Sequence, residues 1–152
     1  MFRVLFICHG NICRSPMAEF VFRDLVQKAG LGDRIVCASA ATSTEEIGNP
    51  VYPPARRKLA EHGLSCTGKT AVQLKRSDYD RYDKLIVMDN WNLRNLRRII
   101  PKDPAGKVSL LLDWTDRPGE IDDPWYTGDF ERAYQDIEAG CRWLLAALNA
   151  QC

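Results

Sequence analysis

The chain has 152 residues, 45% of them apolar and 27% charged, and a formal net charge of +1 at neutral pH. A chain of this length supports one hydrophobic core, and its composition is that of a globular domain. The near-zero charge excludes a strong field directed at nucleic acid or an anionic membrane.

Arg3 to Ile7 is a short apolar run before a glycine and predicts a buried strand. From Pro16 onward, Phe20, Val21 and Leu25 recur at helical spacing until the stop at Gly30 and Gly32. Ile35 to Ala38 predicts a second strand. Gly48-Asn49-Pro50-Val51-Tyr52-Pro53-Pro54 is a loop whose prolines lead into a helix from Ala55 to His62, closed by Gly63. Leu85 to Met88 is the third predicted strand, and a basic helix near Asn92 to Ile100 stops at Pro101. Val108 to Leu112 is the fourth strand, and a polar loop, residues 113–129, precedes the last helix. There Phe130, Ala133, Tyr134, Ile137, Cys141, Leu144, Leu145 and Leu148 form one wide apolar stripe. Strands alternating with helices predict an α/β fold: a single open four-stranded parallel sheet with helices on both faces, joined by right-handed crossovers. Ligands bind such sheets beyond the carboxyl ends of the strands. No repeat or linker divides residues 1–152, so one domain is expected.

The apolar runs fall far short of the roughly 20 residues that span a bilayer, and the N-terminus lacks the pattern of a signal peptide. A cytoplasmic location without membrane association is therefore expected. Six cysteines, at 8, 13, 37, 66, 141 and 152, are then expected to stay reduced. With no C-x-x-C pair and only His9 and His62 as histidines, neither a structural metal nor a cofactor is expected.

The chemistry concentrates after the first strand, in Cys8-His9-Gly10-Asn11-Ile12-Cys13-Arg14-Ser15-Pro16. A strand, a tight turn and a helix opening at Ser15-Pro16 make a phosphate-binding loop, with backbone N–H groups converging at a helix N-terminus. Gly10 and Asn11 both tolerate positive φ, which wrapping around an oxyanion requires. Arg14 supplies a planar fork for two phosphate oxygens. Cys8, at the base of this cradle, sits in a field that favours the thiolate, and a thiolate beneath a bound phosphate can attack phosphorus. A leaving oxygen then needs a proton. Asp122 and Asp123, in the late polar loop, are equally placed to give it on the residues alone.

This segment resembles the signature C-x-G-N-I-C-R-S-P of the low-molecular-weight protein tyrosine phosphatases. Ser39-Ala40-Ala41-Thr42-Ser43, Ile47-Gly48-Asn49-Pro50, His62-Gly63, Met88-Asp89 and Asp122-Asp123-Pro124-Trp125-Tyr126 follow in the family's order. The resemblance implies hydrolysis of phosphotyrosine or aryl phosphates through a phosphocysteine. Cys8 would be the nucleophile, Arg14 the phosphate clamp and Asp123 the general acid. His9, Gly10, Asn11, Ile12, Cys13 and Ser15 would form the cradle, with Ser15 steadying the thiolate. It also implies that Asn11, Ser39 and His62 support the loop from behind, and that Trp125 and Tyr126 flank the substrate ring, although simple burial would also explain these aromatics. Cys13 would either cap an oxidised Cys8 or merely point inward. Glu45 departs from the aromatic residue common at its position and should disfavour acidic residues near a phosphotyrosine. The expected partner is a phosphotyrosine protein or small aryl phosphate, met by a monomer.

Three alternatives are weaker. Arginine phosphatases tend to carry Thr where this chain has Ile12. Arsenate reductases of this fold need mid-chain cysteines, and residues 67–140 contain none. A phosphate-sensing module without catalysis would have no use for Cys8, Arg14 and Asp123 together.

Overall fold

The computed structural model describes residues 1–151 and shows an open, all-parallel four-stranded sheet in the order β2-β1-β3-β4. The strands are β1 (Phe2–Cys8), β2 (Ile35–Ala41), β3 (Lys84–Val87) and β4 (Val108–Leu110). Between them run α1 (Arg14–Lys28), α2 (Pro53–Glu61), a one-turn α3 (Asp78–Arg81) and α4 (Asn90–Ile99). A 3₁₀ turn at Leu111–Trp114, a short α5 (Pro124–Thr127) and the long α6 (Phe130–Asn149) complete the chain. The predicted architecture is the observed one, and among the described residues no helix is long and apolar enough to cross a membrane.

The two-residue period of a strand explains the layering. Val4, Phe6 and Cys8 of β1 and Ile86 of β3 face the core shared with α1, α2 and α6. Leu5, Ile7, Leu85 and Val87 face the other way, against Leu74 and against Leu96 and Ile100 at α4. Both strands are buried on both faces, hence their unbroken apolar sequence. On the larger face Phe6 meets Phe22 edge-on, with ring centroids 5.4 Å apart. The stripe of α6 packs here as predicted, with Ala133, Tyr134, Ile137, Cys141, Leu144 and Leu148 buried.

Several boundaries differ from the sequence expectation. Strand β4 ends at Leu110, and Leu111–Trp114 winds into the 3₁₀ turn, with Trp114 Nε1 donating to Ser109 Oγ at 2.9 Å. The polar loop contains α5, because Asp123 caps it and Pro124 opens it. Among the described cysteines, Cys8, Cys13, Cys37, Cys66 and Cys141 are free, and Cys152 lies outside the described residues.

The fold positions the site by register. β1 pairs with β2 from Phe2–Ile35 to Cys8–Ala41, so the chain leaves β1 at the carboxyl edge of the sheet. The loop of residues 9–13 and the start of α1 lie there, beside the loops that follow β2 and β3.

Candidate active site

Cys8 ends β1 with only 3% of its surface exposed, and its Sγ lies 3.0 Å from Ser15 Oγ in the first turn of α1. That turn leaves its N–H groups without helical partners and carries the positive end of the helix dipole. Pro16 stands where a missing N–H costs nothing. Within the loop only Asn11 adopts positive φ, at 59°, while Gly10 does not. Gly10 therefore serves no left-handed conformation, contrary to the sequence expectation. A Cβ there would lie 3.4 Å from Glu46 Cγ, an ordinary van der Waals contact with a flexible side chain.

A directed chain of hydrogen bonds holds the strained Asn11. Its Oδ1 accepts from the Val72 amide at 3.1 Å, which fixes the carboxamide's orientation. Its Nδ2 then donates to Ser15 Oγ at 2.7 Å and to Ser39 Oγ at 2.9 Å. Ser39 Oγ in turn donates a hydrogen bond to Glu19 Oε1. Ser15, already an acceptor from Asn11, keeps its single proton for Cys8 Sγ. Glu19 is buried and held by Arg23 at 2.6 Å and Lys69 at 3.6 Å, and Lys69 Nζ also donates to Ser39 O at 3.0 Å. Burial holds the Lys69 amine below its ordinary range despite the facing Glu19.

Arg14 is 2% exposed, yet it lines the cavity above Cys8. Its NH1 donates to Asp89 Oδ2 at 2.6 Å and to the Ile121 carbonyl at 2.7 Å, and its NH2 lies 3.4 Å from Asp123 Oδ2. Burial alone would favour the neutral guanidine, but Cys8, Asp89 and Asp123 outweigh it and hold Arg14 charged. Asp123 also accepts from the Trp125 amide at 3.0 Å, so its carboxylate is fixed by the turn that opens α5. Asp122, next door, is exposed.

The cavity over Cys8 holds about 100 Å³ and is walled by Ile12, Cys13, Glu45, Glu46, Trp125 and Tyr126. His9 Nε2 lies 2.9 Å from Glu45 Oε2 across its rim. Trp125 leans on Tyr52, centroids 4.7 Å apart, and Tyr52 stacks on Phe130 at 6.1 Å. Cys13 is buried, and its thiol is pushed far up by that burial and by Cys8. It is an inert neighbour unless Cys8 is first oxidised.

Residues 3–152 match the family model of the low molecular weight phosphotyrosine protein phosphatases. The chain belongs to this family. A low molecular weight protein-tyrosine-phosphatase of Bacillus subtilis, YfkJ, is 40% identical over 153 residues, covering 99% of this chain and 98% of the relative. Its crystal structure superposes with a TM-score of 0.96, covering 99% of this chain and 96% of that one. The low molecular weight phosphotyrosine protein phosphatase of Rattus norvegicus is 40% identical over 147 residues, 93% of this chain and 92% of that protein.

In this phosphatase Cys8, Arg14, Ser15 and Asp123 converge as expected, and His9, Ile12, Glu45, Trp125 and Tyr126 surround them. His62 does not join them. It caps the end of α2 and stacks flat on Tyr134, with centroids 4.0 Å apart, on the face toward α6. It lies near Glu61 and Glu131, but Lys58 Nζ already bridges those two carboxylates at 2.8 and 2.9 Å. The support assigned to His62 comes instead from Lys69 and Glu19. Sequence reasoning also missed Asp89 as the partner of Arg14 and Tyr52 as the backing of Trp125. Asp89 was in view as part of Met88-Asp89 at the end of β3, where sheet topology places ligand-binding residues. Glu19 had a signal too, an acid on the inward face of α1, but nothing in the sequence links it to a lysine 50 positions later.

Proposed function

We propose that the protein hydrolyses phosphotyrosine through a covalent phosphocysteine on Cys8. The observation that carries this reading is the buried Arg14, held between Asp89 and Asp123 directly beside Cys8. Substrate phosphate lies on the loop amides and the Arg14 fork. The Cys8 thiolate, accepting from Ser15, forms an S–P bond as the P–O bond to the tyrosyl oxygen breaks. Asp123, protonated at this stage, delivers its proton to that oxygen. Water then enters, Asp123 takes its proton, and attack on phosphorus releases inorganic phosphate and the Cys8 thiolate. Arg14 stabilises the charge that builds on the equatorial oxygens in both steps.

Trp125, Tyr126 and Ile12 give the entrance apolar walls, which favour an aryl ester over phosphoserine or phosphoarginine. We place the protein in the cytoplasm, a compartment that keeps thiols such as Cys8 and Cys13 reduced, and as a monomer. The test is hydrolysis of p-nitrophenyl phosphate in the presence of EDTA. Wild type should turn over and be inhibited by vanadate. Cys8→Ser should bind vanadate without turnover, and substantial turnover by that variant would rule the thiolate mechanism out.

A further inference from the structure

Beside the catalytic cavity lies a second one of about 360 Å³, lined by His9, Arg14, Asp89, Trp91, Asp123 and Tyr126. The two share His9, Arg14, Asp123 and Tyr126, so they are lobes of one cleft. The mechanism leaves the second lobe unused, because an aryl phosphate over Cys8 fills the first. Two of its walls are aromatic and exposed without serving the core: Trp91 at 54% and Tyr126 at 83%. Large exposed aromatics at the edge of a cleft mark a contact surface.

Its charge selects the occupant. Asp89 and Asp123 share the single guanidinium of Arg14. The imidazole of His9 is turned to Glu45, and Glu120 adds a carboxylate where it accepts from the Asn90 amide next to Trp91. When substrate phosphate occupies Arg14 and Asp123 carries the proton it will deliver, Asp89 and the phosphate still leave the floor negative. An acidic side chain would meet those carboxylates, and an apolar one would strip water from them without compensation. A cation suits both the floor and the aromatic walls. The Trp91 ring already carries one guanidinium: Arg94, which does not line the cavity, places its Cζ 5.3 Å from the ring centroid.

We propose that this second lobe is a subsite for a basic side chain, arginine or lysine, close in sequence to the phosphotyrosine of a protein substrate. The inference rests on the phosphotyrosine reading above and goes beyond it by naming the neighbouring residue. It also separates the role of Trp91 from that of Glu45, which lies at the rim of the other lobe.

Matched phosphotyrosine peptides carrying Arg, Ala, Glu or Leu at each position within three residues of the phosphotyrosine test it. The readout is the ratio of kcat/KM for each peptide to that of its Ala counterpart, so every variant supplies its own reference. Wild type should prefer Arg by about 3- to 30-fold at one position, the range of a cation on an aromatic face. Trp91→Ala should bring that ratio close to one, and Trp91→Phe should keep part of it. A preference that survives Trp91→Ala, or that falls only with Glu45→Gln, overturns the subsite. So does a Trp91-dependent preference for Glu or Leu. If no phosphotyrosine peptide is hydrolysed at all, the phosphotyrosine reading falls and takes the subsite with it. If peptides are hydrolysed with no Trp91-dependent ratio, the subsite alone fails.

Discussion

Arg14 is a charge taken almost wholly out of water, and two carboxylates and a carbonyl compensate it. Asp123 therefore has two tasks, to orient Arg14 and to supply the proton, and a leaving-group series separates them. Asp123→Ala should lower kcat by roughly 10²- to 10⁴-fold for poorly acidic phenols, the usual span of general acid catalysis. The loss should shrink for activated phenols. A uniform loss, or a larger one from Asp122→Ala, would contradict the assignment. Lys69 tests the support behind the loop. Lys69→Met removes one of the two cations that hold the buried Glu19. It should cost about 1–3 kcal/mol in urea unfolding, the penalty for a buried group losing its partner. It should also lower kcat, because Ser15 is oriented through the same chain of bonds. Unchanged stability and kcat would show that Arg23 alone suffices. At this scale the sequence was legible wherever the chemistry was local, as in Cys8, Arg14, Ser15 and Asn11. The misplacement of His62 and the omission of Lys69 share one cause: which distant side chain reaches the back of the loop is set by tertiary packing.

The elements were readable from periodicity, and their ends were not. The stripe of α6 hid one position that matters, Gly140, which faces inward without being apolar. A Cβ on Gly140 would come within 2.5 Å of Leu111 Cγ in the 3₁₀ turn. That turn cannot retreat easily, because Leu111 is wholly buried against the same core. Gly140→Ala should destabilise by about 1–3 kcal/mol through overpacking, offset only in part by alanine's better helix propensity. Thermal unfolding of Gly140→Ala with and without Leu111→Ala checks this. The second change should make the first less harmful, and strict additivity would show that the contact is relieved elsewhere. The end of β4 escaped prediction for a related reason. Val108 to Leu112 reads as one strand, but Leu111 packs in the core with α6 and the chain turns there. Asp123 and Pro124 signalled a cap, yet a single turn of helix has no periodicity to detect.

Across the whole molecule, stability and activity should respond to pH through different groups. Asp103 lies outside the cleft, in the segment before β4. Burial opposes its ionisation, but bonds from Tyr79 Oη and from the Lys107 and Val108 amides outweigh it and hold its carboxyl below the usual range. A depressed folded-state pKa contributes stability above the unfolded value, about 3.9, and that stability is lost as pH falls through the folded one. Asp103→Asn should therefore unfold at lower temperature than wild type near pH 6, and the two curves should converge at strongly acid pH. A gap that persists there would assign the effect to packing rather than charge. Activity should follow the cleft instead, since the sheet brings Cys8 from β1, Asp89 from the end of β3 and Asp123 from the loop before α6 to one edge. The claim on which everything else depends is that phosphorus passes through Cys8. Rapid acid quench during turnover of an aryl phosphate, followed by peptide mass spectrometry, tests it most directly. A phosphoryl adduct on Cys8 that forms and decays at rates compatible with kcat, and accumulates in Asp123→Ala with an activated phenol, is the predicted result. Full turnover without any such adduct, or with the phosphoryl group on another residue, would contradict it.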